Sequence, residues 1–288
     1  MQKRLRDGTL IEQKDGQDRM LQRLYGHAFG RVLLKPLVRP WISKFVGSLL
    51  STRCSCVLIK SFVKKHGIDL GQYETETYRS YNDFFVRRIR PELRPVDREP
   101  THLISPCDSK LTVLPVTPDC RFSLKHTEYS VASLLKNDAL AAEYAGGYVM
   151  IFRLTVDDYH RYFYVADGEK EENVRIAGKL HTVNPIANDY FPIYKENSRE
   201  YCVVHTAEFG DLVMVEVGAL LVGRIVNHHG KASVLRGQEK GYFQFGGSTV
   251  VMLVKAGQVQ PDEDILENSK ENIETVVRMG EKIGVSLK

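Results

Sequence analysis

Ser248 sits in the stretch Tyr242–Val251, YFQFGGSTVV, where an aromatic, strand-like run meets two glycines and a serine and then resumes as β-branched residues. Glycine inside a strand weakens it and marks a bulge or a close backbone approach. A serine at such an interruption is a candidate nucleophile. The hydrolase elbow G-x-S-x-G is not met, because Thr249 and Val250 follow Ser248 and the second flanking glycine is missing. Two other segments carry complementary groups. VDDYHRYFYV places His160 between Tyr159 and Arg161, where an imidazole can serve as general base. SPCDSK places Asp108 at a loop-to-strand junction, where a carboxylate can orient such a base. Singly, each has a plain structural reading: a bulge serine, a hydrogen-bonded histidine, a turn-forming aspartate. Together they supply a nucleophile, a base and an orienting carboxylate from three separate segments.

The surrounding pattern predicts an α+β chain, an N-terminal helical section on a strand-rich catalytic body. Trp41, Ile42, Phe45, Val46, Leu49 and Leu50 form one stripe at helical spacing. A second helix is predicted over residues 55–66, with Lys64, Lys65 and His66 in its last turn and Gly67 as its stop. These helices either cap a β core or form a basic, amphipathic surface for a lipid headgroup layer. LISPCDSKLTVLPV, GYVMIFRLTV, EYCVVHT, DLVMVEVGALLVGRIV and GYFQFGGSTVVMLV are rich in Val, Ile, Phe and Tyr and read as strands. One helix is predicted over 131–144, and the tail from about Pro261 reads as part helix, part loop. The division is 1–75, helical and potentially membrane-contacting, and 76–288, the catalytic body.

With 288 residues, 43% hydrophobic and 26% charged, the chain has the composition of a globular protein. Its net charge of +4 is too small to indicate a nucleic-acid partner. Five cysteines without metal-ligand spacing or an even count read as reduced thiols, not a disulfide framework or a zinc site. Met1 is followed by charged residues, so no secretory signal is expected. RVLLKPLVRPWISKFVGSLL carries Arg31, Lys35, Arg39 and Lys44, and never reaches the ~20 uncharged residues of a spanning helix.

From about Leu24 onward the chain resembles the phosphatidylserine decarboxylases, in particular the shorter clostridial-type bacterial branch. The resemblance rests on ordered blocks: YNDFFVRRIRPELRPVD, SPCDS, YSVASLL, DYHR, VNPIA, EFGDLVMVEVGALLVGRI, GQEKGYFQFGGSTVV and MGEKIG. It implies a self-cleaving proenzyme in which Ser248 attacks the carbonyl of Gly247. The products are a β-subunit of residues 1–247 and an α-subunit of residues 248–288, whose Ser248 has become a pyruvoyl group. That group would form a Schiff base with phosphatidylserine and yield phosphatidylethanolamine, with no metal and no pyridoxal phosphate. The resemblance further implies catalytic roles for Asp108, His160 and Ser248, and peripheral attachment at the cytoplasmic face of the membrane through the 31–50 stretch. A homodimer of the cleaved pair is left open.

Two positions depart from the family pattern. Relatives carry a second histidine three residues after that of DYHR, often assigned to the self-cleavage triad, and this chain has Phe163 there. His160 then serves alone, or His205 in VVHTAEFG substitutes as base. Ser109 replaces a glycine of the aspartate turn, beside Cys107, which reads as a small buried filler. These departures motivate an alternative: an uncleaved, lipid-binding homologue without decarboxylase activity. A pyruvoyl decarboxylase of a soluble amino acid is disfavoured by the YNDFF and DYHR blocks.

Overall fold

The computed structural model describes residues 2–12, 24–124, 127–182, 190–219, 224–244, 246 and 248–288. Gly247, the VNPIA block and residues 220–223 of the long apolar run lie outside them. In chain order the strands are β1 (Gln2–Arg4), β2 (Leu10–Glu12), β3 (His102–Ile104), β4 (Ser109–Pro115), β5 (Arg121–Leu124) and β6 (Thr127–Ser130). They continue with β7 (Tyr148–Leu154), β8 (Arg161–Phe163), β9 (Gly168–Lys170), β10 (Val174–Ile176), β11 (Arg199–Thr206) and β12 (Gly210–Val217). The last are β13 (Ile225–Asn227), β14 (Ala232–Val234), β15 (Glu239–Phe243), β16 (Ser248–Val254), β17 (Val259–Pro261), β18 (Glu274–Val277) and β19 (Lys282–Ser286). The helices are α1 (Ala28–Leu37), α2 (Pro40–Leu50), α3 (Val57–His66), α4 (Tyr81–Phe85), α5 (Val131–Leu135), α6 (Asp138–Ala142), α7 (Ile193–Glu196) and α8 (Glu263–Lys270).

The architecture is α+β. Among the described residues an 11-stranded sheet runs β14-β9-β11-β12-β16-β7-β4-β18-β1-β2, with β10 also on β11. β16 lies near its middle, and STVVMLV is apolar almost throughout because both faces of the sheet are covered. Val250, Met252 and Val254 point into one core with Phe152, Leu154, Met214 and Tyr162. Val251 and Leu253 point into the other, with Val215, Val217 and residues of α5, α6 and α7. A three-stranded sheet, β13-β15-β8, contributes Tyr162 and Phe243 to the first core. The side chain of Ser248 falls by strand alternation on that same face.

Local signals explain most boundaries. Pro40 opens α2 at a position where its missing N–H is harmless. Gly67 ends α3 with φ 63°, a left-handed conformation favouring glycine. Ser80 caps α4 by accepting the Asp83 N–H. The helix expected over 131–144 is two short helices. Lys136 takes φ 51° after α5, and Asn137 at once caps α6 by accepting the Leu140 N–H.

Two expectations are corrected. The first dozen residues do not belong to a helical section: β1 pairs in parallel with β18, and β2 folds back on β1. The tail is more than helix and loop. β18 enters the main sheet beside β4, and β19 joins β3 and β17. Both misreadings concern three- to five-residue strands, too short to show a period.

α2 is turned inside out relative to an ordinary surface helix. Ser43 and Gly47 face inward, and the Asn82 amide donates to the Gly47 carbonyl at 2.9 Å and to Ser51 Oγ at 2.8 Å. Trp41, Phe45 and Leu49 face outward, with Trp41 62% and Phe45 61% exposed, while Ile42, Val46 and Leu50 are half-buried. Among the described residues no single helix is long and apolar enough to cross a membrane. The pair 41–50 and 53–66, bent by 77°, passes by length and composition only.

Candidate active site

Sheet register brings three of the singled-out segments to one end of the main sheet. Ser248, at the start of β16, faces Leu154 on β7, and Thr249 faces Arg153 on β7 and Val217 on β12. Extending that register sets Gly218 abreast of Ser248. On the far side of β7, Lys110 faces Arg153, which sets Ser109 abreast of Leu154. Ser248 and Ser109 are therefore two strand spacings apart, about 10 Å. Ser248 is completely buried, and its Oγ has no hydrogen-bond partner among the described residues. An orphaned buried hydroxyl is uncommon, and such groups concentrate where chemistry occurs. Gly246, two residues earlier, has φ 131°, a conformation that favours glycine.

His160 stands where β7 turns back into β8. Asp158 shapes that turn by accepting the Thr155 N–H at 2.6 Å, and Lys110 Nζ holds the Asp158 carboxylate at 2.6 and 2.7 Å. The Asp158 carbonyl accepts from His160 Nδ1 at 2.9 Å. Since a carbonyl can only accept, Nδ1 carries the proton and Nε2 presents a lone pair. Nε2 is buried without a partner among the described residues, and the ring packs 4.2 Å from that of Phe85. Burial, partly opposed by Asp158, pulls the His160 pKa down to about 4. A neutral imidazole with a free lone pair is the form a general base requires.

Asp108 does not hydrogen-bond to His160. Its carboxylate accepts from Arg94 Nε at 2.9 and 3.0 Å, from Arg94 Nη2 at 2.6 Å and from the Met279 N–H at 2.9 Å. Phe163, at the position where the resemblance implies a second histidine, packs with Tyr73, Ile89 and Tyr159. Its N–H donates to the carbonyl of Pro106, two residues before Asp108, at 2.9 Å. Position 163 thus borders the aspartate segment, and Arg94 compensates the Asp108 charge. Cys107 is a buried filler, as expected, with its thiol pKa raised by burial.

His205 is corrected as a substitute base. It lies at the opposite end of β11, facing Asp211 on β12, while Arg199 at the near end shares a row with Val217 and Thr249. Seven residues of strand from that end put it about 20 Å away. Its side chain is 46% exposed and bonded to Asp211 at 2.7 Å and Glu171 at 3.1 Å, which together raise its pKa.

A cavity of about 680 Å³ opens beside this end of the sheet, lined by Lys44 and Gly47 of α2 and by Glu200, Gly218, Arg224 and Gln244. It connects the inner face of α2 to the residue abreast of Ser248. Sequence reading also missed Glu216 and Lys240, both completely buried and paired at 2.8 Å. The signal was a glutamate in the apolar run DLVMVEV, because an inward glutamate demands a partner. Among the described residues no cluster of His, Cys, Asp or Glu is arranged to hold a metal ion.

A family model described as phosphatidylserine decarboxylase matches residues 81–285. The chain is 45% identical over 272 residues to phosphatidylserine decarboxylase proenzyme 2 of Clostridium acetobutylicum, covering 94% of this chain and 92% of that one. It is 38% identical over 280 residues to the proenzyme of Ruminiclostridium cellulolyticum (95% and 93% covered) and 36% over 278 residues to that of Clostridium botulinum strain 657 (94% of both). The chain belongs to the phosphatidylserine decarboxylase family. Within this decarboxylase family fold, Ser248 opens the central strand, His160 is its buried neutral base candidate, and Asp108 is a clamped carboxylate at the same sheet end.

Proposed function

We propose that the chain is a self-processing phosphatidylserine decarboxylase that matures by breaking its Gly247–Ser248 bond. The observation that carries this reading is a pair of buried groups at one sheet end that have no hydrogen-bond partner among the described residues: the Ser248 hydroxyl and the His160 Nε2 lone pair. His160 takes the Ser248 proton, and Oγ adds to the Gly247 carbonyl carbon. Collapse with departure of the Ser248 nitrogen exchanges the peptide bond for an ester. Loss of the Ser248 Cα proton and expulsion of the Gly247 carboxylate leave a dehydroalanyl residue. Water converts its enamine nitrogen to ammonia and leaves a pyruvoyl group on the new terminus. The complete burial of Ser248 suits a group whose ketone must be kept from bulk water. Once formed, the pyruvoyl group supplies an electron sink for loss of carbon dioxide from an α-amino acid headgroup. Asp108, held by Arg94 and Met279, keeps a fixed negative charge at this end of the sheet, and His160 holds or returns a proton at Nε2.

The substrate's lipid character fits the outer surface of the helices. Trp41, Phe45, Leu49, Val57 and Leu58 are exposed, and Lys44, Lys60 and Lys64 lie exposed among them. Aromatic and aliphatic groups entering a headgroup layer beside lysines that meet anionic lipid make a peripheral anchor. We place the protein on the membrane surface at its anionic, cytoplasmic face, with the cavity beneath α2 as the headgroup's way in. An uncleaved lipid-binding homologue is not favoured by any observation at the site.

Conversion of phosphatidylserine to phosphatidylethanolamine in mixed vesicles tests the reading. The wild-type chain should release carbon dioxide, and Ser248→Ala should not. Equal product from both, or none from a cleaved wild type, would overturn it.

A further inference from the structure

The strand that leads into Ser248 also holds His160, and one buried ion pair fastens it to the main sheet. β15 ends at Phe243, whose N–H donates to the His160 carbonyl at 3.0 Å, and it pairs with β8 along its other residues. Lys240 is the extra residue of that pairing: Glu239 faces Phe163 and Gly241 faces Tyr162, with a register shift between them. Such a bulge re-aims a side chain. Here Lys240 is turned into the first core, where its Nζ meets Glu216 Oε1 at 2.8 Å and Asn227 Oδ1 at 2.8 Å. It lies 5.6 Å from the centre of the Tyr162 ring. Glu216 belongs to β12 and faces Val250, two residues beyond Ser248 on β16. Glu216 and Ser248 therefore share a face and stand one diagonal step apart, about 7–8 Å between backbones. Asn227 on β13 completes the link, donating to Glu216 at 3.2 Å and to the cavity residue Glu200 at 3.0 Å.

Stability does not explain this arrangement. A buried ion pair gives little net stabilisation, and apolar side chains of similar volume commonly do as well or better. We propose that Glu216 and Lys240 are a positioning pair for self-cleavage, holding the chain that enters Ser248 in place over β16 while fixing His160 through β8. The inference rests on the reading of Gly247–Ser248 as the bond that breaks. Misplacement of reacting groups by about 1 Å can slow a reaction by about two orders of magnitude.

The test is self-cleavage of the full-length chain, followed on denaturing gels after a pulse of cell-free synthesis. The double variant Glu216→Leu, Lys240→Met exchanges the pair for apolar groups. It should melt at or above the wild-type temperature yet cleave at least tenfold more slowly. Hydroxylamine, which splits an ester and not a peptide, should not accelerate it, because the attack itself is impaired. Wild-type cleavage in a stable double variant would overturn the proposal, and so would slow cleavage that hydroxylamine restores. If the double variant does not fold, Glu216→Gln with Lys240→Met removes both charges together while an amide at 216 can still accept from Asn227. Cleavage at least tenfold slower in that folded chain supports the positioning contact, and cleavage within tenfold of wild type overturns the proposal. A wild-type chain that never breaks at 247/248 defeats the underlying reading and is distinguishable from every outcome above.

Discussion

Lowering the pH should leave self-cleavage untouched until well below the range in which histidine ordinarily protonates. His160 donates its Nδ1 proton to a carbonyl and keeps Nε2 in an apolar setting, so burial pulls its pKa from 6.5 to about 4. At about pH 5.5 a histidine of pKa 4 is still more than nine-tenths neutral, whereas an unperturbed one is only about one-tenth neutral. The active base concentration therefore differs about tenfold between the two cases. Stability moves in a matching direction. The unfolded chain binds a proton at this ring below about pH 6.5 while the folded chain does so only near 4, so the neutral ring's contribution is complete above 6.5 and lost as pH falls towards 4. That loss amounts to about 3 kcal/mol over the whole window and about 1 kcal/mol by pH 5.5. Pulse-labelled chain placed in buffers from pH 5.5 to 8 should cleave with rate constants within about twofold of one another, with Ser248→Ala as a folding control by circular dichroism. A tenfold fall with a midpoint near 6.5 in chain that remains folded would refute the assignment of the buried neutral ring as base.

His205→Ala should leave self-cleavage within about twofold of wild type, since the ring is exposed and lies about 20 Å along β11 from the sheet end that holds Ser248; a block measured on the same gels would restore His205 as a candidate. Trp41→Glu with Phe45→Glu should cut recovery on anionic vesicles in flotation by at least tenfold while cleavage proceeds, because both side chains face outward; unchanged flotation would refute the anchor. Arg94→Met should destabilise the fold by about 3 kcal/mol, because it leaves the buried Asp108 charge without its bidentate partner. Denaturant titration of the Ser248→Ala chain with and without the change measures it, and a loss under about 1 kcal/mol would contradict the clamp.

Long, strongly patterned segments were legible in the sequence. β16, β12, β11 and β7 read as strands because each is a run of seven or eight residues rich in β-branched and aromatic types. α3 read as a helix because its stripe and its stop at Gly67 agree. What escaped were short pieces whose structure comes from pairing. β1 and β18 have three and four residues and are held as strands by pairing, β1 between β2 and β18 and β18 between β1 and β4. The break at Lys136–Asn137 was masked by an apolar stripe that runs across two separately capped helices.

At the site, residue types pointed to Ser248, His160 and Asp108, but spacing along a chain carries no information about partners across a sheet. Asp108 thus looked free to orient a base and is instead held by Arg94, fourteen positions upstream. His205 looked eligible because a strand histidine can face either end of a sheet until register is known. The Glu216–Lys240 pair could have been suspected from a charge in the run VMVEV, but its partner, 24 residues on, emerges only from a bulge in β15.

The central claim is that Gly247–Ser248 breaks and Ser248 becomes the reactive group. Intact mass spectrometry of the purified, denatured protein tests it most directly. The account predicts two chains, residues 1–247 and 248–288, the smaller lacking a free amino terminus and carrying the mass of a pyruvoyl group in place of serine. A single chain of 288 residues that stays whole after prolonged incubation, or a smaller fragment that begins with an ordinary Ser248, would contradict it.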